Sequence, residues 1–157
     1  MGDIPSPGAR SEVILHATTI AHGGQALLLT GAAGSGKSSL ALACIGLGAV
    51  LVADDRTVLR RDGPVLEAQA PDALTGLIEV RGLGLLRLPH AGPVPVAGVV
   101  DLDIMEEERL PPRRTTALLG VPVTLYRRLD GAHVPAALLQ CLAGARAVSA
   151  MTDDPSP

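Results

Sequence analysis

Short apolar runs separated by glycines and prolines set the rhythm of this chain, and each run is long enough for one strand or one short helix. Gln25–Thr30 (QALLLT) predicts a buried strand, residues 31–36 a glycine-rich loop, and residues 37–47 (KSSLALACIGL) a helix stopped by Gly48. Residues 49–53 (AVLVA) predict a second buried strand. Residues 57–60 and 65–69 flank Arg61-Asp62-Gly63-Pro64 and predict a hairpin. Residues 71–80 predict a short helix entered at Pro71 and ended near Gly82. Strands are predicted over 83–88, 94–101 and 121–127, and a last helix over 136–147. Pro111-Pro112 forbids a helix through the region that follows the acidic stretch 105–109.

Residues 1–11 and 152–157 are rich in Pro, Ser, Gly and Asp and read as flexible tails around one domain, 12–151. The element order predicts an α/β fold with a mixed sheet, few helices and a three-layer nucleotide-binding core.

Composition narrows the picture. The chain has 157 residues, 47% apolar, with one Tyr and no Trp or Phe, so the core is built from Leu, Val, Ala and Ile. A net charge of −3 gives no electrostatic footprint for nucleic acid or an anionic membrane. No apolar run reaches about 18 residues and the first ten lack a signal-peptide pattern, so the expectation is a soluble, cytoplasmic protein. Cys44 and Cys141 lie in apolar helical stretches and read as small hydrophobes rather than a disulfide or metal pair. Of thirteen basic residues, the only lysine is Lys37. In a chain that uses Arg elsewhere, a retained lysine marks a place that needs a compact ammonium.

That place is a loop. Gly31-Ala32-Ala33-Gly34-Ser35-Gly36-Lys37-Ser38 fits G-x-x-x-x-G-K-[ST] between a predicted strand and a predicted helix. The glycines let successive N–H groups turn inward as an anion nest, and the helix start adds its unpaired donors. Lys37 can reach the terminal phosphates of a nucleoside triphosphate, Ser38 offers a hydroxyl to Mg²⁺, and Ser39 extends the cradle. Asp54 and Asp55 follow the second strand, expected to be a parallel neighbour of the loop strand, which would set them in the ligand crevice. Side chains alternate along a strand, so the two must divide their roles. One of them can accept or orient the proton of an attacking hydroxyl. Glu79 is a further metal-ligand candidate and Arg81 a phosphate clamp, with a surface pair as the alternative. His16 and Arg109 are read as candidates beside structural alternatives.

Together His16, GAAGSGKSSLAL (31–42), LVADDRTVL (51–59) and LIEVRGLGLL (77–86) resemble the catalytic domain of the HPr kinase/phosphorylase family, in a short form without the amino-terminal domain. The resemblance runs from about residue 15 to 120. It implies an HPr kinase/PEP carboxykinase-like fold and transfer from ATP, with Mg²⁺, to a serine of the phosphocarrier HPr. It assigns ATP binding to residues 31–38, Mg²⁺ to Ser38 and Glu79, and the proton-accepting role to Asp55. Lys37, His16 and Arg109 are the remaining catalytic residues it implies. The longer members form hexamers. Ala33 stands where the family usually has Ser, and residues 125–135 replace its Arg-Pro-Gly-Arg-Asn-like segment, so the resemblance carries the kinase direction rather than phosphorolysis. A small-molecule kinase, with Arg113-Arg114 or Arg127-Arg128 in a lid, and an ATP-binding regulatory module without turnover stay open as alternatives.

Overall fold

The computed structural model describes residues 10–145. Eleven strands and two helices follow one another in this span: β1 (Arg10–Leu15), β2 (Ala17–His22), β3 (Gln25–Thr30), α1 (Lys37–Gly46), β4 (Val50–Ala53), β5 (Thr57–Asp62), β6 (Val65–Gln69), β7 (Leu77–Val80), β8 (Gly84–Arg87), β9 (Val94–Met105), β10 (Thr115–Leu118), β11 (Val121–Arg128) and α2 (Val134–Leu142). The first strand takes in Arg10 and Ser11, two residues of the expected tail. Among the described residues no helix is long and apolar enough to cross a membrane.

The sheet is mixed and turns on β9. In one arm β9 runs parallel to β3 on one side and to β11 on the other, and β2 and β4 extend this arm beyond β3. In the other arm the start of β9 pairs antiparallel with β6, followed by β5 and β1. A strand that serves two sheets must be long, and β9 has twelve residues.

Alternation along β3 shows why three layers form. Leu27 and Leu29 face α1 and α2 in a cluster with Ile20, Cys44, Val100 and Leu138. Ala26 and Leu28 face the opposite way, against Leu59, Leu66 and Ala68 of the β5–β6 hairpin. The three layers are therefore helices, sheet, and a second sheet arm. The small Ala residues on the inner face let two sheets approach closely without aromatic filler.

Three expectations change. Residues 71–80 are not a helix: a single 3₁₀ turn (Asp72–Leu74) gives way to β7, which pairs with β8. Gly76 at φ +74° breaks the path, and a Cβ there would stand 2.8 Å from the His90 ring. The β-branched segment beyond it then satisfies its backbone in a hairpin. The strand before Asp54-Asp55 is not a direct neighbour of the loop strand, because β2 is hydrogen-bonded between β3 and β4. The last helix starts earlier, at Val134 with Pro135 in its first turn, and stops at Leu142 before Gly144 at φ +108°. Residues 146 and 147 of that expected helix lie outside the described residues.

Candidate functional site

The end of β3, the start of α1 and the ends of β4 and β9 meet at the glycine loop. Gly31, Gly34 and Gly36 all have positive φ (147°, 82° and 101°). The requirement is strictest at Gly31, where a Cβ would stand 2.6 Å from Ser35 Oγ and 3.3 Å from Asp103 Oδ1. Ser35 N–H closes the turn onto Ala32 O at 3.0 Å, and Gly36 in the left-handed region leads into α1. Within the loop Ala32 N–H donates to Asp103 (3.0 and 3.2 Å), which anchors the entrance to β9.

Lys37 is buried to 7% exposure, and its ammonium donates to Gly31 O (2.7 Å) and Ala32 O (3.2 Å). Its Nζ also lies 3.4 Å from His16 Nε2. His16 stands at the bend between β1 and β2, and its Nδ1 lies 3.1 Å from Asp55 Oδ1. A neutral imidazole with its proton on Nδ1 satisfies both contacts, donating to Asp55 and accepting from Lys37. Both His16 and Asp55 are about half exposed. An incoming group can therefore reach them.

The acidic pair divides. Asp54 Oδ1 accepts from Ser38 Oγ (2.7 Å) and from Thr18 Oγ1 (2.9 Å), and its Oδ2 accepts the backbone N–H of Glu79 (2.9 Å). Asp55 turns the other way, with φ +66° and its N–H donated to Thr18 Oγ1 (3.1 Å). The hydroxyl of Thr18, fully buried on β2, thus holds one carboxylate and the backbone of the next. A non-glycine residue in the left-handed region is costly, and Asp is among those that tolerate it.

The structure brings Lys37, Ser38, His16 and Asp55 together around the loop. Glu79 arrives through its backbone, and its residue is exposed. Arg81, two positions on, is exposed as well. Ala32, Ala33 and Ser39 stand on the exposed surface of the loop and first helical turn. Arg109 is exposed and makes no hydrogen bond or ion pair among the described residues. Asp54 was placed in the crevice from sequence without a role of its own, and Thr18 and Asp103 were not singled out. For Asp54 a signal existed: alternation required the two aspartates to split, and a serine in the first turn of α1 selects the inward one. Thr18 and Asp103 carry no local signal, since each acts across 36 or more residues of chain.

Ser38 and Asp54 offer hard oxygen donors of the kind Mg²⁺ takes when phosphates complete its shell. Among the described residues no three His, Cys, Asp or Glu side chains converge on one point. Away from the loop, the Arg114 guanidinium holds the Glu106 carboxyl below its ordinary range, aided by Glu108 N–H and Arg127.

A glycine loop at a strand–helix junction, flanked by a hydroxyl, a lysine and a split aspartate pair on a mixed sheet, is the kind of arrangement whose unpaired N–H groups suit an anion. The family described as HPr Serine kinase C-terminal domain matches residues 9–91, and the chain belongs to that family. Among similar proteins, the HPr kinase/phosphorylase of Bordetella pertussis is 50% identical over 76 residues, covering 44% of this chain and 25% of that protein. That of Nitrosomonas europaea is 50% identical over 66 residues, covering 41% and 20%. The chain thus spans about a fifth to a quarter of the length of these relatives. The structure of the Hpr(Ser) kinase/phosphatase from Coxiella burnetii matches with a TM-score of 0.70 at 23% identity, over 83% of this chain and 94% of that one. The mixed sheet with few helices is therefore the fold of that structure. Arg109 lies outside the matched segment 9–91.

Proposed function

We propose that the chain is an ATP-dependent serine kinase acting in the cytoplasm on an HPr-type phosphocarrier protein. The observation that carries this reading is the division of the aspartate pair, with Asp54 on Ser38 and Asp55 on His16. It gives two carboxylates two tasks on one loop.

Residues 31–38 would hold the phosphates through backbone donors and the Lys37 ammonium. Bound Mg²⁺, held by Ser38 with Asp54 or Glu79, would offset charge on the transferred group. Asp55 would accept the proton of the acceptor serine as its oxygen attacks the γ-phosphorus and the bond to the β-phosphate oxygen breaks. His16 would keep Asp55 oriented and its charge directed outward. Positioning and fixed charge supply most of the rate in such transfers.

The test is incubation with ATP, Mg²⁺ and HPr, followed by mass spectrometry for phosphoserine. Phosphoserine on HPr supports the reading, and a stable ATP complex with no phosphorylated product rejects it. The second outcome belongs to an ATP-binding regulatory module.

A further inference from the structure

Helix α1 separates two sides of the loop. Ser38 turns toward β2 and β4, where it meets Asp54. One residue on, a rotation of roughly 100° carries Ser39 away from that network. There Ser39 lines a cavity of about 400 Å³ between α1, the end of β9 and the β11–α2 connection. The volume falls within the range of small-molecule sites, roughly 300–1,000 Å³.

The lining is aliphatic at Leu40, Val100 and Leu138 and polar at Ser35, Ser39 and Arg127, with the Arg128–Asp130 ion pair (3.5 Å) also on it. Ser35 Oγ and Arg127 Nε are both buried with no hydrogen-bond partner among the described residues. Leaving a buried polar atom unsatisfied costs about 1–3 kcal/mol. Both residues line the cavity beside the loop, and a ligand seated there can supply the partners that these two atoms lack.

Resting on the phosphate-loop reading above, we infer that this cavity takes the nucleoside end of the triphosphate. Lys37, Ser38, His16 and Asp55 mark the terminal-phosphate end on the β2–β4 side, so a nucleotide lying along the loop leaves it on the α2 side. No aromatic residue lines the cavity. The base is held instead between aliphatic side chains and the Arg127 guanidinium plane, and the hydroxyl of Ser35 meets a polar group of the ligand.

Calorimetric binding of Mg·ATP and of magnesium tripolyphosphate to the full chain tests this, since tripolyphosphate can use the loop alone. The parent protein binds ATP about tenfold more tightly than tripolyphosphate. Ala43→Leu fills the cavity from an exposed position on α1, and Arg127→Lys keeps the charge while removing the plane. Each variant lowers ATP affinity to that of tripolyphosphate and leaves tripolyphosphate unchanged. Equal loss of both ligands, or no loss in either variant, overturns the cavity assignment while the loop reading stands. A parent protein that binds neither anion overturns the loop reading and this inference with it.

Discussion

On its two sides, helix α1 meets opposite kinds of surroundings. Toward β2 and β4 the polar groups are partnered within the protein: Ser38, Thr18, Asp54, the Glu79 N–H, Asp55 and His16 form one connected set. Toward α2, Ser35 Oγ and Arg127 Nε are buried without a hydrogen-bond partner, and both residues line a cavity. A set that satisfies itself holds its geometry in advance, which is what charge stabilisation in a transfer step requires. A wall with unmet polar atoms gains by binding and adds affinity rather than rate. Variants on the first side should therefore change turnover, and variants on the second should change binding.

Asp55→Asn makes the sharpest break. Removing a proton acceptor costs a factor of about 10²–10⁴ in rate, while Asn preserves the shape and the left-handed backbone. Phosphoserine formation on HPr should collapse while ATP binding, measured by calorimetry, stays near the parent value. A variant that keeps more than about a tenth of the parent rate would remove Asp55 from the base role.

Lys37→Arg tests the loop that both sides share. Lys37 fits between two carbonyls at 2.7 and 3.2 Å while buried to 7% exposure, a space cut for one ammonium. The larger planar guanidinium cannot replace it there without moving the loop. ATP affinity should fall about tenfold or more, although the change agrees with the rest of the chain's basic residues. Unchanged affinity would reduce the lone lysine to coincidence of composition.

Thr18→Val asks whether the partnered side is held as a unit. The variant keeps the shape of the side chain, strands the Asp55 N–H and leaves Asp54 Oδ1 with Ser38 as its remaining donor. The expected loss is about 1–3 kcal/mol of stability, read as a lower melting temperature. As Thr18 touches no substrate, kcat should fall with ATP affinity unchanged, and Thr18→Ser should restore both kcat and stability. Loss of stability with kcat intact would make Thr18 a structural residue alone.

The contrast between the sides also explains what could be read from sequence. The loop, α1, the β5–β6 hairpin and the split of Asp54 from Asp55 were legible because each is written within a few consecutive residues. The insertion of β2 between β3 and β4 was not, because strand order is decided by pairing across the sheet and leaves no local mark. Residues 77–80 misled because a short apolar run after a proline suits a helix or a strand, and pairing with β8 decides it. Asp103 escaped because its partner is a backbone N–H, which no side-chain pattern reveals. The cavity escaped for the same reason: Ser35 and Arg127 are 92 positions apart and share only a wall.

How far the open side extends can be read from the two cysteines. Ala43 lines the cavity, and Cys44 next to it is fully buried in the cluster between α1, α2 and the sheet. Burial pushes the Cys44 thiol up to about 11 from 9.0. Between those values the unfolded thiol loses its proton while the folded one keeps it, so stability is whole below pH 9 and falls as pH rises through 11. Tyr126, pushed up to about 12 chiefly by burial, adds a similar loss at higher pH. Comparing the parent with Cys44→Ala therefore isolates the cysteine: the variant should lose less stability from pH 9 to 11. In the native protein at pH 8 one thiol, the partly buried Cys141, should react with a disulfide reagent, and Cys44 only after denaturation. Two thiols reacting at one rate in the native state would mean that the cavity opens past Ala43 into the core, and the boundary between the two sides of α1 would have to be redrawn.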